Sequence, residues 1–367
     1  MTYIITFLTA AILGNMAAKY KVLKIPFSFL AIIIPSILGG IRSPRLGTDN
    51  FYFFKPDFSI AYYSDSFSEA SSKLNFDILS EYTFYVVSRF TSDYHWLCFF
   101  FSFTSMTLVY ITIYRYRKVC KVWLALLVYF FIFYCPMICY ARQSIAVSIC
   151  FFSIYYAEKK KILYFITLIL TATLLHASAI IFAIYYPLYH YLYNNNQLRL
   201  NRYILISCIL GIAVFSFIFI LPDTLLNQTI SIERAETLSN RYILADANES
   251  TNNVYKLMLS LTPPLILASL HLRKTKNNNL IIYFTFVFYA ILITAISFIS
   301  IKAYRISFYY SLFLILLLAN KSLTCKKNNH FYTFLSICYL IAYWYLFTVR
   351  NGYGFSLPVY PYITDVF

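Results

Sequence analysis

The sequence predicts an all-α, polytopic membrane protein: about 12 transmembrane helices in a single integral-membrane domain over residues 1–367. Three observations predict it. First, 60% of the residues are apolar and only 12% are charged, against ~45–50% and ~25% in an average soluble domain. A soluble fold of this length has no interior large enough for that surplus, and no polar stretch is long enough to build a soluble enzyme on an anchor. Second, the apolar residues form continuous runs, whereas strands of a membrane barrel alternate apolar and polar. Third, the basic residues are partitioned between loops in the way that fixes the orientation of helical membrane proteins.

The runs follow in order. Residues 2–18 have no basic segment before them and no small-residue cleavage site after them, so the run is expected to stay as a span rather than be removed as a signal peptide. Next come 25–41, 94–114, 122–141, 143–157, 162–175, 177–193, 203–221, 255–272, 280–300, 306–319 and 331–347. Two stretches require a hairpin. Residues 122–157 hold a single charge, Arg142, six residues after Pro136, and residues 162–193 hold none. A helix over the second stretch would be ~48 Å long at ~1.5 Å per residue, well beyond a ~30 Å hydrocarbon core. Each stretch is therefore read as a pair of short or tilted helices, with Arg142 and His176 near the turns.

The loop charges agree with this count. With Lys19, Lys21 and Lys24 inside, the inner segments are 19–24, 115–121, 158–161, 194–202, 273–279 and 320–330. They carry 18 of the 30 Lys and Arg residues and one acid, Glu158, while the outer face carries the other 12 basic residues and 13 of the 14 acids. The formal charge of +16 thus reads as topology and not as a nucleic-acid surface. Two outer loops are long: 42–93, which includes a candidate interfacial helix, and 222–254, a polar Asn/Ser-rich lid or connector. Every inner loop is short, so the chemistry is expected on the outer face. The eight cysteines include no CxxC pair and are expected to be mostly buried and inert.

Polar residues near a bilayer are costly and are functional candidates by default. Five clusters stand at the outer face. The first runs from Gly39 and Gly40 through Arg42, Ser43, Pro44 and Arg45 to Gly47, Thr48 and Asp49. Its glycines would let backbone approach a ligand, its guanidiniums suit phosphate, and its Asp would orient one of them or take a proton. The second is an amphipathic helix starting at Asp77, a plausible N-cap, with Leu79, Tyr82, Val86 and Phe90 at helical spacing and Glu81 in its first turn. Glu81 is either a general base or a carboxylate favoured by the helix N-terminus. The third is Arg142-Gln143, the fourth His176-Ala177-Ser178, and the fifth Lys302 to Tyr309 with Arg305. The tail from Asn351 to Tyr362 is aromatic and proline-kinked. Neither HExxH nor DxD occurs, so no metal and no cofactor is expected; arginines would neutralise a diphosphate instead.

In this order the clusters resemble the EpsG family of polytopic bacterial proteins, within the Wzy-like O-antigen and exopolysaccharide polymerases. The resemblance rests on Arg45-Leu46-Gly47-Thr48-Asp49 with Tyr52, on Glu81, on Arg142-Gln143 with Ala146, on His176-Ala177-Ser178, on Arg305 to Tyr309 and on Pro361-Tyr362. It implies a GT-C-like helical fold in the bacterial inner membrane, with the site facing the periplasm and undecaprenyl-diphosphate-linked glycans as substrates. The expected activity is repeat-unit polymerisation, with an O-antigen ligase-type transferase or a lipid-linked glycan flippase as alternatives. On that expectation Arg42, Arg45, Arg142 and Arg305 bind the diphosphate. Glu81 leads as base, Asp49 orients Arg45, and His176 is the third candidate. The expected partners are undecaprenyl-diphosphate-linked oligosaccharides and membrane lipids, with a chain-length regulator protein as a further candidate and no nucleic acid.

Overall fold

The computed structural model describes residues 1–46, 50, 54–74, 76–194, 250–272, 278–296, 301–324, 330–350 and 360–364. Among them the chain is helical, with one isolated antiparallel bridge between Cys120 and Asn320. Every expected run carries helix except 203–221, which lies outside the described residues, as does most of the 222–254 loop.

Helices α1 (Thr2–Lys19) and α2 (Lys24–Gly40) form a hairpin. Both are apolar all round, as helices set between protein and lipid are. Tyr3, Phe7, Ala10 and Ala11 face the core, while Ile5 and Ile12 face outward. The C-terminal end of α2 packs on α6 (His95–Arg115) so closely that a Cβ at Gly39 would strike the Ser102 side chain and one at Gly40 would strike Phe99. These glycines let helix approach helix. The sequence reading assigned that closeness to a ligand, and the structure places the α6 side chains there instead.

Residues 42–93 form more than a loop with one helix. They contain α3 (Lys55–Tyr63), α4 (Phe67–Lys73) and α5 (Ile78–Phe90). The α5 helix turns Ser80, Glu81, Phe84 and Ser88 inward and leaves Tyr82 50% and Phe90 85% exposed, so much of its apolar stripe faces away from the protein, as an interfacial helix requires. Asp77 occupies the N-cap position, but its side chain makes no capping bond.

The most enclosed segment is Val122–Cys139: α7 (Val122–Val128), a π-helical turn (Tyr129–Phe133) and α8 (Tyr134–Cys139). The chain breaks at Tyr140 (φ −105°, ψ 57°) and restarts as α9 (Ala141–Glu158), so Arg142 lies in the first turn of a new helix. The second hairpin is α10 (Ile162–Leu175), a turn at His176, a 3-10 stretch (Ala177–Ile184) and α11 (Tyr185–Asn194). The 3-10 stretch replaces an expected α-helix. Regular helix starts at Tyr185, two residues before Pro187, whose missing N–H leaves the carbonyl four residues back without its helical donor. Helices α12 (Ser250–Leu272), α13 (Asn278–Ile296), α14 (Ile301–Ser311), α15 (Phe313–Leu318), α16 (Lys321–Thr324) and α17 (His330–Trp344, continued by a π-helical turn to Arg350) complete the bundle.

The connections sort to two ends. At one, Lys24 lies over the Tyr114 ring at 5.1 Å, Tyr283 donates to Glu158 at 3.0 Å, and Lys121 and Lys321 exchange backbone bonds with Ala319 and Val119. At the other, the tail returns to α2: Ser43 N–H donates to the Ile363 carbonyl at 2.9 Å, and Tyr362 and Thr364 hydroxyls donate to the Leu38 and Ile41 carbonyls at 2.6 and 2.7 Å. The thiols of Cys98, Cys120, Cys135, Cys139 and Cys150 are buried, and Cys338 is exposed on α17.

Candidate active site

All five polar clusters lie at the end that holds the tail, and four of them are joined there by side-chain contacts. The α5 N-terminus is tied to the α10 turn at two places. The Ser80 hydroxyl donates to the Leu175 carbonyl at 2.8 Å, and the Asp77 carboxylate accepts from the Ala177 amide at 3.2 Å. Asp77 therefore staples the His176 turn instead of capping its own helix. Across that turn His176 Nδ1 lies 2.8 Å from the Ser178 hydroxyl, which is 3.0 Å from the Tyr309 hydroxyl on α14. At the start of α9, the Gln143 side-chain amide donates to the Arg305 carbonyl at 2.6 Å. Residues some 95 to 160 positions apart are thus joined by side-chain hydrogen bonds.

Both arginines rest on aromatic faces. The Arg142 guanidinium carbon sits 3.8 Å from the Phe76 ring centroid, and that of Arg305 sits 5.4 Å from the Tyr140 ring. A cation over a ring is attracted by the ring's quadrupole, so both positive charges are seated at this end of the bundle. The two charges also act on His176. Burial first, then Arg142 and Arg305, hold its imidazole down at about 3, so it stays neutral at ordinary pH. Burial pushes the Asp77 carboxyl up, and the Arg142 guanidinium works against that shift.

Glu81 is 4% exposed, with both oxygens engaged: Oε2 accepts from the Ser71 hydroxyl at 2.5 Å and Oε1 from the Phe76 amide at 2.8 Å. It closes the α4–α5 turn and holds the ring on which Arg142 lies. Arg42 is 1% exposed and turns back into the bundle, donating to the Gly39 carbonyl at 2.6 Å. Its Nε and Nη2 have no hydrogen-bond partner among the described residues. It lines a small cavity with Ser102, Ser105, Tyr129, Tyr134 and Ser144, behind the first turn of α9 rather than in front of it. Arg45 is exposed, and Asp49 lies outside the described residues. Among the described residues no three His, Cys, Asp or Glu side chains gather at metal-ligand spacing.

Sequence reasoning placed Arg142, Arg305 and His176 in the same outer layer but missed the stapling role of Asp77, the engagement of Glu81, and the platforms Phe76 and Tyr140. The available signal was adjacency: Phe76 directly precedes Asp77, and Tyr140 stands two residues before Arg142.

Residues 25–364 match the model of the EpsG family, nearly the whole length over which this site is assembled. The chain belongs to the EpsG family. Neither a curated protein nor a solved structure matches it. Membership supports a polysaccharide-polymerase type of function in general. The apolar helices agree with a membrane location: among the described residues, five are long and apolar enough to cross a bilayer. In this EpsG-family protein the family match and the polar convergence coincide, since α5, the starts of α9 and α14 and the His176 turn all lie inside the matched range.

Proposed function

We propose that this EpsG-family protein is a repeat-unit polymerase of the bacterial inner membrane. It moves a growing glycan from undecaprenyl diphosphate to a sugar hydroxyl of a second lipid-linked unit at the outer face. The observation that carries the reading is the pair of aromatic-backed guanidiniums, Arg142 and Arg305, beside a neutral His176 and a carboxylate. A departing lipid diphosphate gains negative charge as its bond to the anomeric carbon breaks. Preorganised cations at that position lower the barrier, and losing one such donor typically costs ~10²–10³ in rate. The two arginines supply positive charge that a metal-dependent glycosyltransferase takes from its cation. Arg45, exposed at the rim, meets the incoming diphosphate, and Arg42 is buried at the cavity beside the α9 turn.

Deleting the gene and resolving the surface glycan on a gel tests the reading. Glycan of single repeat units in place of a ladder is the expected result. Long lipid-linked chains that never reach their acceptor would point to a ligase, and units retained inside the cell to a flippase.

Orientation has its own expected result. In a background with Cys338 replaced by Ser, a cysteine at Asp93 reacts with an impermeant maleimide from outside, and one at Lys160 reacts only after permeabilisation. Both positions are exposed, so access to solvent does not separate them. The reverse pattern would put the arginines on the inner face and overturn the reading.

A further inference from the structure

We propose that Asp77 is the group that takes the proton from the attacking sugar hydroxyl. The proposal rests on the polymerase reading and names the proton acceptor within it.

Three other described acids of this end are occupied. Glu81 has both oxygens held in the α4–α5 turn. Glu69 is paired with Lys73 on the exposed side of α4, and Asp93 is bound to His95. Asp77 stands between the two halves of the site. Its neighbour Phe76 carries the Arg142 guanidinium, and its own carboxylate holds the residue after His176. Apart from its own amide and that of Ala177, no described group donates to the carboxylate. Those backbone bonds orient it, and acceptor capacity remains for a hydroxyl. The Ser80 bond to Leu175 one turn further along α5 prevents the pair from swinging apart. Partial burial raises the carboxyl's proton affinity and Arg142 opposes that shift; a raised affinity is what a general base needs. His176 serves less well, because its Nδ1 is engaged with Ser178 and burial with two guanidiniums depresses its basicity.

The step balances. The hydroxyl oxygen bonds to the anomeric carbon of the donor glycan, and the bond from that carbon to the diphosphate oxygen breaks. The bonding pair leaves with undecaprenyl diphosphate, whose new charge faces Arg142 and Arg305, and the hydroxyl proton passes to Asp77.

The test uses purified full-length protein and lipid-linked repeat units extracted from a strain lacking this gene. Release of undecaprenyl diphosphate gives the rate, and a thermal shift with the same extract reports binding. Asp77→Asn keeps a carbonyl oxygen for the Ala177 amide and removes the basicity. It is expected to lower kcat by about 10²-fold or more with KM and the thermal shift unchanged. Asp77→Glu, which keeps a carboxylate, is expected to turn over at least about tenfold faster than the Asn variant. Asp93→Asn, outside the site, keeps the wild-type rate. A folded Asn variant within about threefold of wild type overturns the proposal, as does a folded Glu variant no faster than Asn. Loss of substrate binding or of folding along with the rate makes Asp77 a structural staple only, which also overturns it. If the wild-type protein itself releases no undecaprenyl diphosphate, the polymerase reading falls, and this assignment with it.

Discussion

Arg142→Lys is expected to lose turnover almost as completely as Arg142→Ala, by about 10²–10³-fold in each case. The reason is geometric. Arg142 lies over the Phe76 ring, 3.8 Å from its centroid, and the Phe76 amide is held by Glu81. A lysine at this position keeps the charge, but as a compact, strongly hydrated point on a flexible stem. It cannot present two parallel N–H bonds to a diphosphate while resting on the ring. The measurement is the initial rate of undecaprenyl diphosphate release for the three proteins at saturating substrate. A Lys variant that still makes a normal glycan ladder would reduce Arg142 to a balancing charge.

The second large effect is on stability. Glu81→Ala is expected to leave the Ser71 hydroxyl and the Phe76 amide without their acceptor. A donor left buried costs about 1–3 kcal/mol. Glu81→Gln retains a carbonyl oxygen for Phe76 and is expected to melt close to wild type and to turn over within about tenfold of it, since under the proposal the residue anchors and Asp77 takes the proton. Melting of the two variants in the same detergent, followed by the turnover assay, separates the roles. A Gln variant that folds and binds lipid-linked substrate normally but does not turn over would restore Glu81 as the base and remove Asp77 from that role.

The helices were legible because lipid as solvent imposes long apolar runs, and 162–175 reads from the sequence with the boundaries the structure shows. The hairpin turns were legible for the same reason: Arg142 and His176 interrupt stretches too long for one crossing. What local pattern could not give is pairing across distance. Nothing in the spacing of Glu81 announces that Ser71 and the Phe76 amide occupy it. Arg42 and Arg45 are three residues apart and chemically alike, yet one turns into the bundle and the other outward. That divergence follows from the tight seating of Gly39 and Gly40 on α6, which fixes where the chain leaves α2. The 3-10 stretch after His176 was not legible, because an apolar run does not separate it from an α-helix.

The tail's attachment to α2 sets an order in time. Tyr362 and Leu38 are joined across 324 residues, and Thr364 and Ile41 across 323. At ~5–20 residues per second of synthesis, roughly 16–65 s pass between the emergence of Leu38 and that of its partner. Throughout that interval the carbonyls of Leu38 and Ile41 and the amide of Ser43 must be satisfied by water or by a chaperone. The segment bearing Arg42 is therefore among the last parts to reach its final bonding, after the helices between have emerged. A chain arrested before position 362 lacks the Tyr362 and Thr364 latches, so the segment beside the site stays unlatched however completely the helices between have formed.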